Sequence, residues 1–319
     1  MTGSLRVRVA KKEAVAEGIC AFDLVAAEGD TLPAFTAGAH VDVTTPSGII
    51  RQYSLSNPST DRNLYRIAVL HEQDGRGGSR AMHEQVKAGD VLTISAPRNH
   101  FELDVAASPS LLLAGGIGIT PILAMAHQLE AQGRQYALHY CTRSPARTAF
   151  RDELASRFGE RARVYHDDGP AELKFNIADA LRTAPRDAHL YVCGPSGFID
   201  AVLSQAKAQG WQDSRVHREF FSAAPVDTAG DKAFEVVVAS SGIVIPVAAD
   251  QTVVAALAAC GIEVMTSCEQ GVCGTCITHV LEGIPEHRDS YFTDEEHAKG
   301  DQFTPCCSRS KTDRLVLDL

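Results

Sequence analysis

The sequence lacks a surplus of positive charge: thirty Lys and Arg stand against forty Asp and Glu in 319 residues, a formal net charge of -10. Nucleic acid is therefore disfavoured as a general partner, which leaves room only for a local basic dock. No charged start followed by an apolar signal segment is visible, so the nine cysteines are not expected to form a secreted disulfide framework. A reducing, cytoplasmic setting is the expectation. A clean membrane span is missing too. The longest uncharged stretch, 105–126, contains AGGIGITP and is broken by Pro109, Pro121 and the glycines at 115, 116 and 118. That punctuation reads as a strand, a ligand loop and a short helix. There is no internal repeat to suggest a solenoid, and no 2-His-1-carboxylate constellation whose spacing along the chain assigns a catalytic non-haem iron.

What is present is a chain long enough for two or three compact domains, which should not need metal or disulfides merely to fold. From about Leu5 to Leu103, short β-prone runs such as VDVTT, IRQYSLS, YRIAVLHE and VLTISA alternate with Gly, Pro and Asn, suggesting a small antiparallel barrel. From Ser110 the period changes. LLLA precedes a glycine turn, PILAMAHQLEAQG and RDELASRF read as helices, and QYALHYCTRS, RVYHDD and AHLYVCGPSGF read as strands, the alternation of an α/β nucleotide-binding domain. SAAPVDTAGDK (222–232) has linker composition. After it come a hairpin, FEVVVASSG and IVIPVA, then Asp250 as an N-cap, a helix through VVAALAAC and Gly261 as its stop.

A cysteine loop follows directly. CEQGVCGTC (268–276) spaces Cys268, Cys273 and Cys276 as C-x4-C-x2-C, the plant-type [2Fe-2S] arrangement, whereas zinc sites usually repeat a C-x2-C pair. Gly271 and Gly274 allow a tight loop whose amides can turn toward sulfide. Cys306 and Cys307 both stand as candidates for the fourth ligand. Structural zinc and a reduced, partly buried cysteine loop are the competing readings.

Two further stretches carry ligand chemistry. In RQYSLSNPS (51–59), Arg51 can contact phosphate, Tyr53 can lay an aromatic face near isoalloxazine, and Ser54 can offer a hydroxyl to a flavin's polar edge; by itself the segment is equally an ordinary exposed strand. In GRGGS (75–79), Gly77 and Gly78 permit close approach of an oxyanion to backbone N–H groups, and Ser79 can add a hydrogen bond. LLLAGGIGITPI (111–122) places Gly115, Gly116 and Gly118 between a strand and a helix, where phosphate can reach backbone donors, although the strict G-x-G-x-x-G pattern is absent.

Taken in order along the chain, these motifs resemble the phthalate dioxygenase reductase family, which includes vanillate demethylase reductase components. The resemblance covers nearly the whole chain. It implies a multidomain fold: an N-terminal antiparallel β-barrel flavin domain (1–104), a central α/β nucleotide-binding domain (105–225) and a C-terminal α+β plant-type ferredoxin domain (226–319). CCSRSKTDRLVLDL looks like the family's terminal Cys-x-Ser-Arg segment, which aligns Cys306 with the fourth metal ligand beside Cys268, Cys273 and Cys276. RQYS matches the family's Arg-x-Tyr-Ser motif, so Arg51, Gln52, Tyr53 and Ser54, with Gly77, Gly78 and Ser79, are the implied flavin contacts, and FMN the implied flavin. GGIGITP and CGPSGF look like nucleotide-domain signatures, bringing Thr120 and the turn of Cys193, Gly194 and Pro195 to the nicotinamide end. HREFF resembles the segment that carries an acid, Glu219, and an aromatic, Phe220, to the redox centre. Arg143 in TRS is a candidate contact for nucleotide ribose or phosphate.

The implied activity is an NADH-dependent electron-transfer oxidoreductase, NADPH not excluded, in which hydride reaches flavin and single electrons pass through [2Fe-2S] to another protein. That partner, by resemblance, is a Rieske-type aromatic oxygenase, which would select the aromatic substrate. A stand-alone NAD(P)H oxidoreductase with a small acceptor and a structural zinc protein are the alternatives.

Overall fold

A computed structural model describes residues 4–29, 31–73, 75–107, 109–221 and 228–319. Of the linker reading, residues 222–227 lie outside the described residues. The chain divides into two compact units, Met1–Phe221 and Ser222–Leu319.

The first unit opens with β1 (Leu5–Ala16), β2 (Ile19–Ala26), β3 (His40–Thr44), β4 (Ile50–Ser54), β5 (Tyr65–Leu70), helix α1 (Gly78–Gln85) and β6 (Val91–Ile94). The strands form an antiparallel sheet ordered β4-β3-β6-β1-β2-β5. An isolated antiparallel bridge between Leu55 and Ile67 ties the end of β4 to β5 and closes the sheet into a barrel. Alternation explains the closure: Val7, Val9, Phe22, Leu24, Val41, Val43, Ile67 and Val69 all turn into one core. Each such side chain contributes roughly 1.5–3 kcal/mol by burial. Helix α1 was not expected from GRGGS; it starts at Gly78 behind Gly77, which adopts φ 95°.

The same unit continues with β7 (Ser110–Gly115), α2 (Ile119–Ala131), β8 (Tyr136–Thr142), α3 (Arg151–Glu153), β9 (Ala162–His166), α4 (Ile177–Thr183), β10 (His189–Gly194), α5 (Ser196–Ala208) and β11 (Val216–Phe220). These strands form an all-parallel sheet ordered β11-β10-β7-β8-β9. The connection reverses direction between β7 and β10, a topological switch point at which α/β sheets hold ligands. Every residue of β7 is buried, as a central parallel strand requires, because α2 covers one face and α4 with α5 the other. RDELASRF is helical throughout as expected, with one α turn at α3 running into a wider π turn at Leu154–Phe158. Glu153, in its first turn, lies 2.9 Å from His127 Nε2 and 3.8 Å from Arg66.

The second unit contains β12 (Phe234–Val238), β13 (Val244–Val247), α6 (Val253–Ala259), β14 (Thr278–Glu282), β15 (Pro285–Glu286), α7 (Asp294–Lys299), β16 (Gln302–Phe303), β17 (Arg309–Ser310) and β18 (Arg314–Leu317). A mixed sheet ordered β13-β12-β18-β14-β16 packs α6 over Val236, Ile245, Leu315 and Leu317. The N-cap of α6 is Thr252, whose hydroxyl accepts from Ala255 N, and not Asp250. Thr252 stands immediately before the first helical residue, from which its side chain reaches the third helical amide; Asp250 lies two residues too early.

Candidate functional site

The barrel strand β4 presents Arg51 and Tyr53 on one face and Gln52 and Ser54 on the other. Arg51 runs over the start of α1, where a Cβ added at Gly78 would come within 2.9 Å of Arg51 Cγ. Glycine at 78 is thus what lets the guanidinium stem lie beside the helix start. Ser79 Oγ accepts from Glu72 N at 3.2 Å, which leaves its O–H proton available to an anion. Tyr53 packs against the barrel core, and burial raises its phenol above the ordinary range. Its Oη is shut off from solvent with no hydrogen-bond partner among the described residues, a polar atom that a flavin edge would satisfy. Gln52 goes elsewhere: its Nε2 lies 2.9 Å from His40 Nε2, across the β3–β4 pair.

At the switch point the two glycine turns abut. A Cβ at Gly118 would sit 2.3 Å from the Cys193 carbonyl oxygen, and one at Gly115 would sit 2.9 Å from Pro195 Cδ. Packing therefore requires both glycines, whereas Gly116 faces open space at φ 52° and is constrained by its backbone alone. Thr120, buried in the first turn of α2, donates to Ile117 O at 3.1 Å. Arg143 is exposed and follows the C-terminal end of β8, at the same end of the sheet.

Strand register brings the acid to this turn. Cys193 pairs with Glu219 and Gly194 with Phe220 across β10 and β11. Cys193 is fully buried, and burial, followed by the nearby Glu219 charge, pushes its thiol well above the usual value. Glu219 is lifted by burial to about 8, against a hydrogen bond from the Ser54 hydroxyl that favours the charged form. Its Oε2 is buried without a partner among the described residues. A barrel serine, a sheet thiol and an acid that keeps its proton at neutral pH thus converge, an arrangement that suits a polar ring system able to exchange a hydrogen bond. Phe220 packs on the α5 side of the sheet.

In the second unit, Cys273, Cys276 and Cys306 are buried and Cys268 is partly buried. Hydrogen-bond contacts run from Cys268 to Cys273 and Cys306 and from Cys306 to Cys276, so the four sulfurs form one group. The Cys268 thiol is held below its usual range by the Cys273 and Cys306 thiols and then by the amides of Gln270 and Val272. Gln270 N approaches Cys268 Sγ at 3.3 Å and Thr275 N approaches Cys273 Sγ at 3.5 Å, the amide-to-sulfur contacts expected of the loop. Gly271 and Gly274 have φ 72° and 68°, and neither has room for a Cβ, which would meet Cys307 Sγ at 2.4 Å and the Tyr291 ring at 2.5 Å respectively. Cys307 also touches Cys306, but its sulfur lies against Thr304 and Ser308. Three buried sulfurs and one partly buried, linked in the order Cys273, Cys268, Cys306, Cys276 and approached by amide donors, fit a thiolate-held cluster.

Two supports escaped the sequence reading. Asp289, whose side chain is buried, accepts from Tyr291 N and Phe292 N and steadies the loop against Gly271, since Ser290 N donates to Gly271 O. The local pattern Asp-Ser-Tyr is an Asx-turn signal that could have exposed it. Arg309 is 6 % exposed and donates to the carbonyls of Gln251, Lys232 and Ala248.

Comparison with known proteins accounts for the assembly. Residues 236–311 match the family described as a 2Fe-2S iron-sulfur cluster binding domain, and residues 94–216 match the N-terminal domain of dimethylamine monooxygenase subunit DmmA-like proteins. The first match sets the zinc reading aside. A vanillate O-demethylase oxidoreductase of Pseudomonas sp. (strain HR199 / DSM 7063) is 51 % identical over 316 residues, covering 99 % of this chain and 100 % of that protein. A phthalate dioxygenase reductase of Burkholderia cepacia is 40 % identical over 319 residues, 99 % of this chain and 98 % of its own. A solved phthalate dioxygenase reductase, described as a modular structure for electron transfer from pyridine nucleotides to [2Fe-2S], superposes with a TM-score of 0.77 at 39 % identity over 99 % of this chain and 98 % of that one.

Proposed function

The chain belongs to the phthalate dioxygenase reductase family, and on that premise we infer that residues 1–104 hold flavin, 105–225 hold NAD(P)H and 226–319 hold a [2Fe-2S] cluster, in a reductase that serves a Rieske-type oxygenase or demethylase. FMN is the flavin and NADH the donor in this reading, and the setting is cytoplasmic; among the described residues no helix is long and apolar enough to cross a membrane. A bound flavin would supply two-electron hydride acceptance from nicotinamide together with one-electron release, which suits the one-electron capacity of a [2Fe-2S] cluster.

The chain's own residues do the positioning. Arg51, with the Gly77–Gly78 turn and Ser79, holds the flavin phosphate, while Tyr53 turns its buried hydroxyl to the flavin. Gln52 contributes through its main chain, its amide being engaged by His40. Gly115, Gly116 and Gly118 admit the nucleotide phosphates, with Arg143 following β8 at the same end of the sheet. Thr120, Cys193, Gly194 and Pro195 seat the nicotinamide, Cys193 by packing of a protonated thiol rather than as a nucleophile. Glu219 holds a proton near the flavin at neutral pH and Phe220 shields the ring edge. Cys268, Cys273, Cys276 and Cys306 ligate the cluster. The partner, and not this chain, selects the aromatic substrate.

The observation that carries this reading is the meeting of Ser54, Cys193 and Glu219 at the switch point, because it joins the barrel motif RQYS to the CGPSGF turn and the HREFF strand. An anaerobic titration of holoprotein with NADH, followed at the flavin and iron-sulfur bands together, tests it. Bleaching of both bands is expected. Two cofactors present but left oxidised by NADH and by NADPH alike would overturn the donor assignment.

A further inference from the structure

The second unit brings together three metal-ligating side chains that the thiolate site does not use. His287 and Asp289 flank Arg288 on the loop after β15, and His297 lies in the last turn of α7. One candidate ligand atom from each lies within 4.8 Å of the other two. His287 Nδ1 stands 3.5 Å from Asp289 Oδ1, and His297 Nε2 stands 3.1 Å from Asp289 Oδ2. A tetrahedral ion with ligands at about 2.0–2.1 Å has ligand-to-ligand edges of about 3.3 Å, so both separations straddle the required value.

A second observation is independent of that spacing. The His287 side chain is 8 % exposed, and both its ring nitrogens are buried with no hydrogen-bond partner among the described residues. A buried imidazole normally satisfies at least one nitrogen, and the 3.5 Å approach to Asp289 is too long to do so. A cation in the group would satisfy it. Asp289 is already oriented for that purpose by the amides of Tyr291 and Phe292, in the way outer hydrogen bonds orient a ligating carboxylate. Arg288, although adjacent in sequence, is turned away into a bidentate pair with Asp231 at 2.9 and 2.5 Å.

We propose that His287, Asp289 and His297 form a site for a divalent first-row transition-metal cation of the zinc class, separate from the four thiolates. Two imidazoles and one carboxylate select such an ion over calcium or magnesium and leave a fourth position for water. The His287 and His297 rings stack with centroids 4.2 Å apart, so binding tilts the more exposed His297 ring off its neighbour while His287 and Asp289 keep their places. Lys311 acts on His287 with a positive charge that opposes the cation and sets its affinity below that of a fully acidic cage.

Zinc is the probe. Holoprotein of known flavin and iron content is equilibrated with Zn2+, passed over a chelating resin and analysed for zinc and iron. The expected result is one zinc retained per chain with iron unchanged, and a loss of retained zinc of at least about tenfold in His297→Gln and in His287→Asn at the same iron content. His297 is partly exposed, so its substitution keeps the test valid even where the His287 variant folds poorly. Absence of retained zinc in the wild type, equal retention in His297→Gln, or zinc gained only as iron is lost would each overturn the proposal, the last by placing the ion on the cysteines.

Discussion

Glu219 is held with a pKa of about 8, chiefly by burial, and the proton it keeps is one that an exposed glutamate would have lost near pH 4.5. Between those two values the unfolded chain releases the proton while the folded chain retains it. Stability therefore falls as pH rises through that window and levels off above about 8. The same titration belongs in the reaction if Glu219 serves the flavin. The pH profile of NADH-driven flavin reduction is expected to show an inflection near 8 that disappears in Glu219→Gln; an inflection that survives would assign the group elsewhere. At the cluster, Cys306→Ser is expected to lose most of the iron and sulfide, and Cys307→Ser to keep both, since the Cys307 sulfur is occupied by Thr304 and Ser308. Colorimetric iron and sulfide on the two purified variants decides it. Residue spacing made Cys268, Cys273 and Cys276 legible, but spacing alone left Cys306 and Cys307 level, because two adjacent thiols differ only in which way the chain turns them.

Among the elements, the abutting turns of β7–α2 and β10–α5 carry a steric constraint that bears directly on the nucleotide site. Gly118→Ala would drive a Cβ into the Cys193 carbonyl at 2.3 Å, which only a backbone shift relieves. A loss of about 1–3 kcal/mol is expected, together with weaker NADH binding, because the shift moves both nucleotide turns. Gly116→Ala meets no atom and should cost only about 1–2 kcal/mol for its left-handed backbone. Thermal melting of the pair, with NADH affinity measured alongside, separates packing from conformation. The glycines were legible as a phosphate turn; that Gly115 and Gly118 are also imposed by a second turn about 80 residues away is a tertiary fact with no local mark. The same distinction explains the misplaced cap of α6, where Asp250 and Thr252 are both good cap residues and only the true helix start chooses Thr252.

At the scale of the whole molecule, the two units have separate cores: the barrel and parallel-sheet clusters draw on residues up to Phe220, and the cluster around α6 on residues from Phe234 onward. The order of motifs was legible because each core is built from contiguous chain. Pairings that cross long stretches of sequence, such as Ser54 with Glu219 or Arg288 with Asp231, were not, since neither partner's neighbours announce the other. Separate cores also predict separable chemistry. Cys273→Ser strikes a buried sulfur of the second unit, whereas Ser54, Cys193 and Glu219 all belong to the first. Flavin content and NADH-driven reduction of ferricyanide, which draws on the flavin directly, should therefore stay within about twofold of wild type, as expected for sites in separate units. Electron delivery to a purified Rieske-type oxygenase should fall to background, because the thiolate site is the step that the variant removes. Retained oxygenase coupling in a protein shown to lack iron would mean that electrons leave from the flavin, and the cluster would then have to be assigned a structural part.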